Sequence, residues 1–287
     1  MKLATYTARG RMSYGAIVGD GVVDLRSRLS ARFPNIVELL RENGIAEARA
    51  ASTGVRPDFP LSDAQLLPPL LAPEKILCIG VNYANRSAEV SGGSTETPKY
   101  PSMFYRVPSS LVGHGGKLVR PSVSEQLDYE GEIAIIVGRE GRHVPKERAL
   151  EMIAGCMLCN EGSVRDWMRH GRFNVTQGKN FDASGSIGPW MTTVDELDLN
   201  RPMHLTVKLN GQITQDDTTE SMIFSFADLI SYVTTFMTLK PADIIVTGTP
   251  IKLGPKTETP RWLRPGDVLE LSCPELGTLR NEVVAES

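Results

Sequence analysis

Three acidic residues alternate with other residues in one short segment, at Asp128, Glu130 and Glu132. They lead into residues 133–137, whose β-branched side chains predict a strand. If the strand extends back through Asp128, the three carboxylates share one face, with Glu130 and Glu132 about 6.6 Å apart. A divalent cation removes the repulsion between such charges, and clustered carboxylates favour Mg²⁺, Mn²⁺ or Ca²⁺. The alternative is an acidic, solvent-facing strand edge without metal.

Two later polar segments add candidates for the same chemistry. Glu161 directly follows an apolar, strand-like run and is a candidate third ligand, with Arg165 and Asp166 placed to brace it. Lys179 lies in a polar, loop-like segment. A loop lysine is usually solvated, but beside a metal it binds an enolate or carboxylate, or moves protons.

A Cys-x-x-Cys motif at Cys156 and Cys159 has zinc and redox sites as alternative interpretations. A zinc site needs further soft ligands at matching spacing, and the chain has no second such motif. Because the pair lies in an apolar run, we predict two buried strand cysteines. Together with Cys78 and Cys273 they do not form a disulfide framework typical of a chain of this length.

The composition is that of an ordinary globular protein. Of 287 residues, 41% are hydrophobic and 23% charged, and the formal net charge is −3. Nucleic-acid binding is disfavoured because the chain has no basic stripe. No apolar run approaches the roughly 20 residues that span a bilayer, and residues 1–10 lack the apolar stretch of a secretory signal. We therefore expect a cytoplasmic protein that binds neither nucleic acid nor membrane.

Turn and linker signals predict two domains. Residues 14–25 predict a hairpin around a Gly-Asp-Gly turn, and a short helix capped by Asn35 is expected at 35–42. The proline-rich stretch at 66–73 is typical of a linker. We therefore predict a small N-terminal α+β domain at 1–73 and a catalytic, metal-binding domain at 74–287.

The second predicted domain is rich in strands and has few helices. Residues 204–209 alternate and then meet Asn210-Gly211, a strong hairpin turn. Helices are expected at 145–152 and 223–237, and residues 90–101 predict a loop that is a candidate lid. Strands and helices do not alternate regularly, so we predict a β-rich α+β fold rather than a doubly wound sheet.

Taken together, the motifs resemble the fumarylacetoacetate hydrolase family, including its acylpyruvate hydrolase and oxaloacetate decarboxylase members. The resemblance covers roughly residues 74–287 and rests on several segments in the family's order. They include DYEGE at 128–132, SVRDW at 163–167 and GKNFD at 178–182. The remaining segments are 75–83, 101–110, 243–250 and 276–281.

The resemblance implies a mixed β-sandwich roll with a small N-terminal domain, assembled as a homodimer. It implies Mg²⁺ or Mn²⁺ bound by Glu130, Glu132 and Glu161. The family's lysine corresponds to Lys179, and the threonine that helps to bind the substrate carboxylate corresponds to Thr249.

The chain departs from the family pattern at several positions. Glu161 stands where aspartate is usual, which lengthens the third ligand by one methylene. The family's lid dyad pairs a histidine with a glutamate; Glu89 is retained, but Arg86 occupies the histidine position. Arginine stays protonated at neutral pH, so Arg86 cannot act there as a general base, although it can clamp a carboxylate. Arg106 replaces a lysine and Met168 a glutamine.

The leading functional prediction is a metal-dependent hydrolase that cleaves a C–C bond in an acylpyruvate-type 1,3-dioxo acid. In this scheme Glu89 helps to activate water, and Arg86 and Arg106 contact the far end of the substrate. Tyr83, from the Asn-Tyr motif, and Thr249 complete the substrate-binding set.

Two alternatives remain open at this stage. One is a decarboxylase, isomerase, hydratase or dehydratase that acts on a 2-oxo acid through an enolate, and the missing histidine favours it. The other is a metal-binding relative without activity. The substrate itself is not determined, because fold does not fix function.

Overall fold

The computed structural model describes residues 1–86, 97–168, 170–171, 175–254 and 261–287, and in these ranges it is strand-rich with mixed α and β elements. The larger sheet has twelve strands: β1 (Lys2–Ala8), β2 (Arg11–Val18), β3 (Gly21–Asp24), β4 (Phe59–Pro60), β5 (Gln65–Leu66), β6 (Ile76–Gly80), β7 (Ser102–Tyr105), β8 (Leu111–Val112), β11 (Gly131–Val137), β12 (Ile153–Asn160), β14 (Gly185–Thr193) and β17 (Ile244–Val246). Their order is β4-β3-β2-β1-β14-β12-β11-β17-β6-β7, with β5 beside β1 and β8 beside β14.

A second sheet packs against the first. Its order is β16-β15-β18-β19-β9, and its strands are β9 (Lys117–Arg120), β15 (His204–Leu209), β16 (Gln212–Thr218), β18 (Val268–Cys273) and β19 (Gly277–Ala285). A separate pair joins β10 (Leu127–Asp128) to β13 (Ser163–Val164). The β-rich α+β sandwich expected from the sequence is confirmed.

The helices that lie wholly within the described ranges are short apart from one. They are α1 (Arg26–Leu29), α2 (Ile36–Arg41), α3 (Ile45–Ser52), α4 (Thr176–Lys179) and α5 (Phe226–Phe236). Single turns of 3-10 helix lie at Leu61–Asp63, Pro108–Ser110, Arg165–Trp167, Val194–Glu196 and Thr219–Ser221, and a longer 3-10 helix spans Lys146–Met152. No helix of the described ranges is long and apolar enough to cross a membrane.

The central strand β11 is buried on both faces, which explains its unbroken apolar sequence. Ile133 and Ile135 point into a core shared with the second sheet and α5. Ala134 and Ile136 point the other way, into a core shared with the N-terminal strands and α2. Full burial of an isoleucine side chain stabilises the folded state by roughly 1.5–3 kcal/mol. The carboxylates at the start of β11 therefore sit on a rigid support.

Most predicted elements are confirmed. The hairpins β2–β3 and β15–β16 form as expected, and Asn35 caps α2 by accepting the Glu38 N–H at 3.0 Å. The helix expected at 223–237 begins only at Phe226, because Ser225 and Asp228 form a capping box there. The segment at 146–152 is a 3-10 helix rather than an α-helix.

The N-terminal segment shares the larger sheet with the rest of the chain. Strand β1 pairs with β14, placing Lys2 opposite Thr192 and Leu3 opposite Met191. The domain boundary near residue 73 stays a prediction. Of the predicted loop at 90–101, residues 90–96 lie outside the described ranges.

The two motif cysteines lie on β12 and are buried as free thiols, as predicted. Two residues of strand separate them, so Cys156 and Cys159 point to opposite faces of the sheet and enter different cores. That geometry prevents them from pairing with each other.

Candidate metal centre and active site

Three glutamates meet in the interior of the protein. One carboxylate oxygen from each of Glu130, Glu132 and Glu161 lies within 4.8 Å of the other two, and all three residues are buried. Strand pairing explains the meeting, because β11 and β12 are antiparallel with Gly131 opposite Asn160. Glu161, the first residue after β12, therefore lies beside Glu130, and its N–H donates to the Glu130 carbonyl at 2.8 Å.

Asp128 does not join this cluster, and the expectation of one continuous strand is wrong here. β10 ends at Asp128, and β11 begins three residues later. In the break, the Glu130 N–H donates to the side-chain Oδ1 of Asn160 at 3.1 Å instead of to a strand carbonyl. The Asp128 carboxylate instead accepts hydrogen bonds from Arg165, at 2.8 Å from Nε, and from Lys252.

Two buried cations hold the inner side of the cluster. Lys179, the last residue of α4, donates from Nζ to Glu130, and this Nζ lies 3.1 Å from Glu161 Oε1. Arg106 Nη1 lies 3.5 Å from the same Glu161 oxygen. Both cations therefore stabilise the ionised form of these glutamates.

The Arg106 guanidinium is fixed inside the protein. It donates from Nε to Ser110 Oγ at 3.1 Å, from Nη1 to the Gly162 carbonyl at 2.7 Å and from Nη2 to Ser184 Oγ at 3.0 Å. Its side chain has no exposed surface. This placement favours a role in holding Glu161 over contact with the far end of a substrate.

Two partly exposed arginines flank Glu130 on its outer side. Arg165 Nη2 lies 2.9 Å from Glu130 Oε1, so Arg165 braces Glu130 and Asp128 rather than Glu161. Arg86 Nη2 lies 3.4 Å from the same Glu130 oxygen. The other predicted lid residue, Glu89, lies outside the described residues.

The three carboxyl groups differ in pKa because their surroundings differ. Burial works to raise the pKa of Glu130, but the charges of Arg165, Lys179 and Arg86 hold it well below its usual range. Burial and the charges of the other two glutamates raise the pKa of Glu132 well above its usual range. Burial also raises the pKa of Glu161, against the Lys179 charge. Burial therefore disfavours the charged forms of Glu132 and Glu161, and a bound cation would offset that cost.

The residues present fit a hard divalent ion. Glu161 Oε1 is buried and accepts no hydrogen bond from the described residues, despite the two cations beside it. A carboxylate oxygen has two lone pairs, so this atom can bind a metal ion beside those cations. A donor set made only of carboxylate oxygens is the set that Mg²⁺, Mn²⁺ and Ca²⁺ prefer.

The segment after β17 also reaches the cluster. The Gly248 N–H donates to Glu132 Oε2 at 2.5 Å. Gly248 has a φ of 101°, and a Cβ there would lie 2.6 Å from Asn82 Cβ, so other residues are excluded. Thr249 follows with its Oγ1 2.9 Å from Gln215 Nε2, beside the Glu132 end of the cluster.

Sequence reasoning missed Gln215. This side chain is buried in β16, accepts the Gly131 N–H at 3.1 Å and donates to Thr249 and to the Pro250 carbonyl, the latter at 2.6 Å. It joins the second sheet to both segments of the site. Its neighbours in β16 are also polar, so no hydrophobic pattern distinguishes it.

Tyr83 is buried beside the cluster and forms an isolated strand bridge with Met222. Burial, followed by the charge of Glu132, raises the pKa of its phenol. The hydroxyl group therefore stays protonated and remains available as a donor.

Within the described ranges, no hydrogen bond or ion pair joins a histidine to the three glutamates. His204 pairs with Asp216 on the surface, His170 stacks on Trp167, and His114 accepts the Arg280 N–H. The predicted lack of a histidine at the lid position is therefore not compensated by another histidine in this part of the chain.

Comparisons with known proteins agree with this fold and cluster. The model of the fumarylacetoacetate (FAA) hydrolase C-terminal family matches residues 75–284. The chain therefore belongs to the fumarylacetoacetate hydrolase family, as the sequence motifs indicated.

Similar proteins include enzymes of more than one activity. The chain is 34% identical over 270 residues to the oxaloacetate tautomerase Fahd2a, mitochondrial, of Rattus norvegicus, covering 93% of this chain and 85% of that protein. It is 31% identical to the oxaloacetate tautomerase YisK of Bacillus subtilis, covering 99% and 100%. The solved structure of a maleylpyruvate hydrolase from Sphingobium sp. SYK-6 with manganese(II) and pyruvate matches with a TM-score of 0.81 and 26% identity, covering all of both chains.

Proposed function

We propose that this enzyme interconverts the keto and enol forms of oxaloacetate or a similar 2-oxo dicarboxylate, using Mg²⁺ or Mn²⁺ held by Glu130, Glu132 and Glu161. The observation that carries the proposal is the set of cations around this cluster, which contains lysine and arginine but, in the described ranges, no histidine. Similarity to oxaloacetate tautomerases supports the same activity.

The reaction moves one proton and breaks no C–C bond. A divalent ion, when bound, supplies Lewis-acid stabilisation of the enolate. Lys179 Nζ gives a proton to the C2 oxygen as C3 loses one to a base, and Thr249 Oγ1 binds the adjacent carboxylate. The base then returns its proton to Lys179 through solvent, so the net change is one proton moved from C3 to oxygen. Glu89 is our candidate for the group that takes the C3 proton, by the family resemblance. Because no water enters the reaction, a protonated Arg86 is compatible with it.

Hydrolysis of an acylpyruvate is the second candidate. Similarity to a maleylpyruvate hydrolase over the whole chain favours it. It needs a base that activates water, and Arg86 cannot serve as that base. The role would then fall to Glu89 alone, which is the weaker point of this alternative.

The test is product analysis with the metal-loaded protein. Enol oxaloacetate is supplied, and formation of the keto form is followed with excess malate dehydrogenase, with released pyruvate and CO₂ measured in parallel. Acylpyruvates are assayed for cleavage to two acids. We expect accelerated tautomerisation without acylpyruvate cleavage, measured against the same metal with Glu132→Gln protein. Acylpyruvate cleavage as the dominant activity would reject the proposal in favour of hydrolysis.

Homodimer assembly and the cytoplasmic location also remain proposals. Light scattering after size exclusion tests the first, and fractionation of the source cells tests the second.

A further inference from the structure

Gln215 is a buried amide whose hydrogen bonds leave it only one orientation. Its Oε1 accepts the Gly131 N–H at 3.1 Å, and its Nε2 donates to Thr249 Oγ1 at 2.9 Å and to the Pro250 carbonyl at 2.6 Å. A flipped amide would set two donors against each other at Gly131 and two acceptors against each other at Pro250. The two N–H groups of Gln215 therefore point toward the segment after β17.

The position of Gln215 is fixed by close packing against the start of β11. Gln215 is paired with Val207 across β16 and β15. A Cβ at Gly131, between Glu130 and Glu132, would overlap Val207 Cγ2 and lie 3.3 Å from Gln215 Oε1. Only glycine allows the second sheet to approach β11 this closely. The amide thus reaches the site from a paired strand and not from a loop.

The segment after β17 is held by two separate supports. β11 fixes Thr247, whose N–H and Oγ1 donate to one of its carbonyl groups at 3.1 and 2.7 Å, and Gly248, whose N–H donates to Glu132. Gln215 fixes Thr249 and the carbonyl group of the next residue. Loss of the Gln215 amide should therefore release the Thr249 side chain and leave Gly248 in place on Glu132.

The contact with Gln215 also sets the direction of the Thr249 hydroxyl group. An amide N–H can only donate, so Thr249 Oγ1 accepts there and its own proton points elsewhere. Within the described ranges that proton has one acceptor, the Pro250 carbonyl, over a long 3.5 Å, and Gln215 already donates to this carbonyl at 2.6 Å. The hydroxyl proton is thus left for a further acceptor, and a substrate carboxylate can only accept.

We propose that Gln215 is a positioning residue, which turns the Thr249 hydroxyl proton toward the carboxylate next to the 2-oxo group of the substrate. Thr249 binds that carboxylate under the proposed function, on which this step rests, but Gln215 acts in the same way whichever reaction follows. Gln215 does not touch the substrate and acts only through Thr249.

The test is a double-mutant cycle with pyruvate, which carries the 2-oxo acid end. Its dissociation constant is measured by calorimetry on full-length Mn²⁺-loaded protein for wild type, Gln215→Met, Thr249→Val and the double variant. Gln212→Met, at an exposed position of the same strand, is the matched control and should bind as wild type does. Mn²⁺ affinity is titrated for each protein. Pyruvate binding needs no turnover, so a protein that binds pyruvate without tautomerising oxaloacetate contradicts the proposed function and still tests Gln215.

We expect Gln215→Met and Thr249→Val each to weaken pyruvate binding by about tenfold, the lower end of the worth of a hydrogen bond to a charged group. The double variant should match Thr249→Val within about twofold, because Gln215 acts through the hydroxyl group that is already missing. Mn²⁺ affinity of Gln215→Met should change by less than about threefold, since the Gly248 N–H still binds Glu132.

Three outcomes would overturn the proposal. The first is a pair of losses that multiply to about a hundredfold in the double variant, because Gln215 would then support the site independently of Thr249. The second is unchanged pyruvate binding in Gln215→Met. The third is a wild-type protein that binds no pyruvate.

Gln215→Glu is a second variant that keeps the side-chain volume and the acceptor for the Gly131 N–H. A carboxyl group carries at most one proton, and the Pro250 carbonyl would take it because it can only accept, so the Thr249 hydroxyl group would turn and donate to the new carboxyl group. Pyruvate binding should again fall by about tenfold, and retained affinity would contradict the proposal. Thermal melting checks that each variant is folded, and if Gln215→Met is not, the cycle is measured with Gln215→Glu and judged by the same criteria.

Discussion

The two sides of the glutamate cluster are built differently. The inner side is buried and consists of Glu132 on β11, Glu161 after β12, Arg106 after β7 and Lys179 at the end of α4. The outer side is more open and is carried by loops, a 3-10 turn and the short strand β10; it consists of Arg86, Asp128, Arg165 and Lys252. Glu130 belongs to both, because cations from each side bind it.

This difference separates two tasks. Buried side chains fixed at the ends of packed strands and helices hold their positions well enough to bind a metal, which requires precise placement of its ligands. Side chains on loops can vary without disturbing the sheet and therefore suit the choice of substrate. We infer that the inner side serves the chemistry common to oxo acids and the outer side selects among them, and the following predictions test that division.

Glu132→Gln should have the largest effect. Glutamine keeps an oxygen for the Gly248 N–H but removes the negative charge. We expect activity to fall by about a thousandfold or more, since metal stabilisation of an enolate supplies several kcal/mol and each 1.36 kcal/mol is tenfold. Calorimetric titration with Mg²⁺ and Mn²⁺ should show a matching loss of affinity. Retained metal binding would contradict the inner-side assignment.

The same substitution should stabilise the metal-free protein. The folded-state pKa of Glu132 is raised, so this group's contribution to stability is complete below the unfolded pKa and is lost as pH rises toward the folded pKa. Glutamine does not ionise and avoids that loss. In excess chelator at pH 7 the variant should melt above wild type, and the difference should shrink as pH falls below about 4. A lower melting temperature for the variant at pH 7 would contradict this account.

Arg106→Lys should have the next largest effect. Lysine keeps the charge but cannot contact Ser110, Gly162 and Ser184 together. Loss of a group that orients a metal ligand typically weakens metal binding by about tenfold to a hundredfold. Metal titration measures the change, with exposed Arg148→Lys as the matched control. If the metal affinity were unchanged, Arg106 would not be needed to orient Glu161, and the sequence-based prediction that it contacts the substrate would be favoured.

The inner side was the more predictable from sequence. Alternation along a strong strand signal placed Glu130 and Glu132, and an apolar run ending in a polar cluster identified Glu161. The outer side was harder, because its residues depend on a strand break at Tyr129–Glu130 and on loop geometry. Lys252 and Gln215 carry no local signal, since each acts through partners more than thirty residues away.

The fold, like the site, was predictable from local sequence only where the interacting residues are close along the chain. Local patterns sufficed for the hairpins and for the Asn35 cap, whose partners lie within a few residues. They could not show that β1 pairs with β14, because that pairing joins residues about 190 positions apart. Hydrophobic periodicity reports which face of an element is buried, but not which distant element covers it.

Arg86→Ala tests the outer side with a moderate effect. Arg86 contacts Glu130 at 3.4 Å and cannot take up a proton. We expect kcat/KM for oxaloacetate to fall by about tenfold, as for loss of one charged contact, with the shape of its pH profile unchanged. If the plot of kcat/KM against pH gained or lost an ascending or descending limb, Arg86 would be shown to govern a proton transfer. Acylpyruvate cleavage by Arg86→His alone would instead identify this position as the missing base of a hydrolase.

Ser163→Ala should have the smallest effect. Ser163 Oγ donates to Glu130 Oε2 at 2.8 Å, but Lys179, Arg165 and Arg86 also bind the Glu130 carboxylate. Three cations also hold this carboxylate, so losing one hydrogen bond from a hydroxyl group should weaken metal binding by only about threefold, at the lower end of the usual net worth of a hydrogen bond. Titration with Mn²⁺ measures this loss, and exposed Ser27→Ala is the control. If the loss approached that of Glu132→Gln, Glu130 would depend on a single hydrogen bond for its position. The cations of the two sides would then not act as its shared support, and the division into inner and outer sides would fail at the residue that joins them.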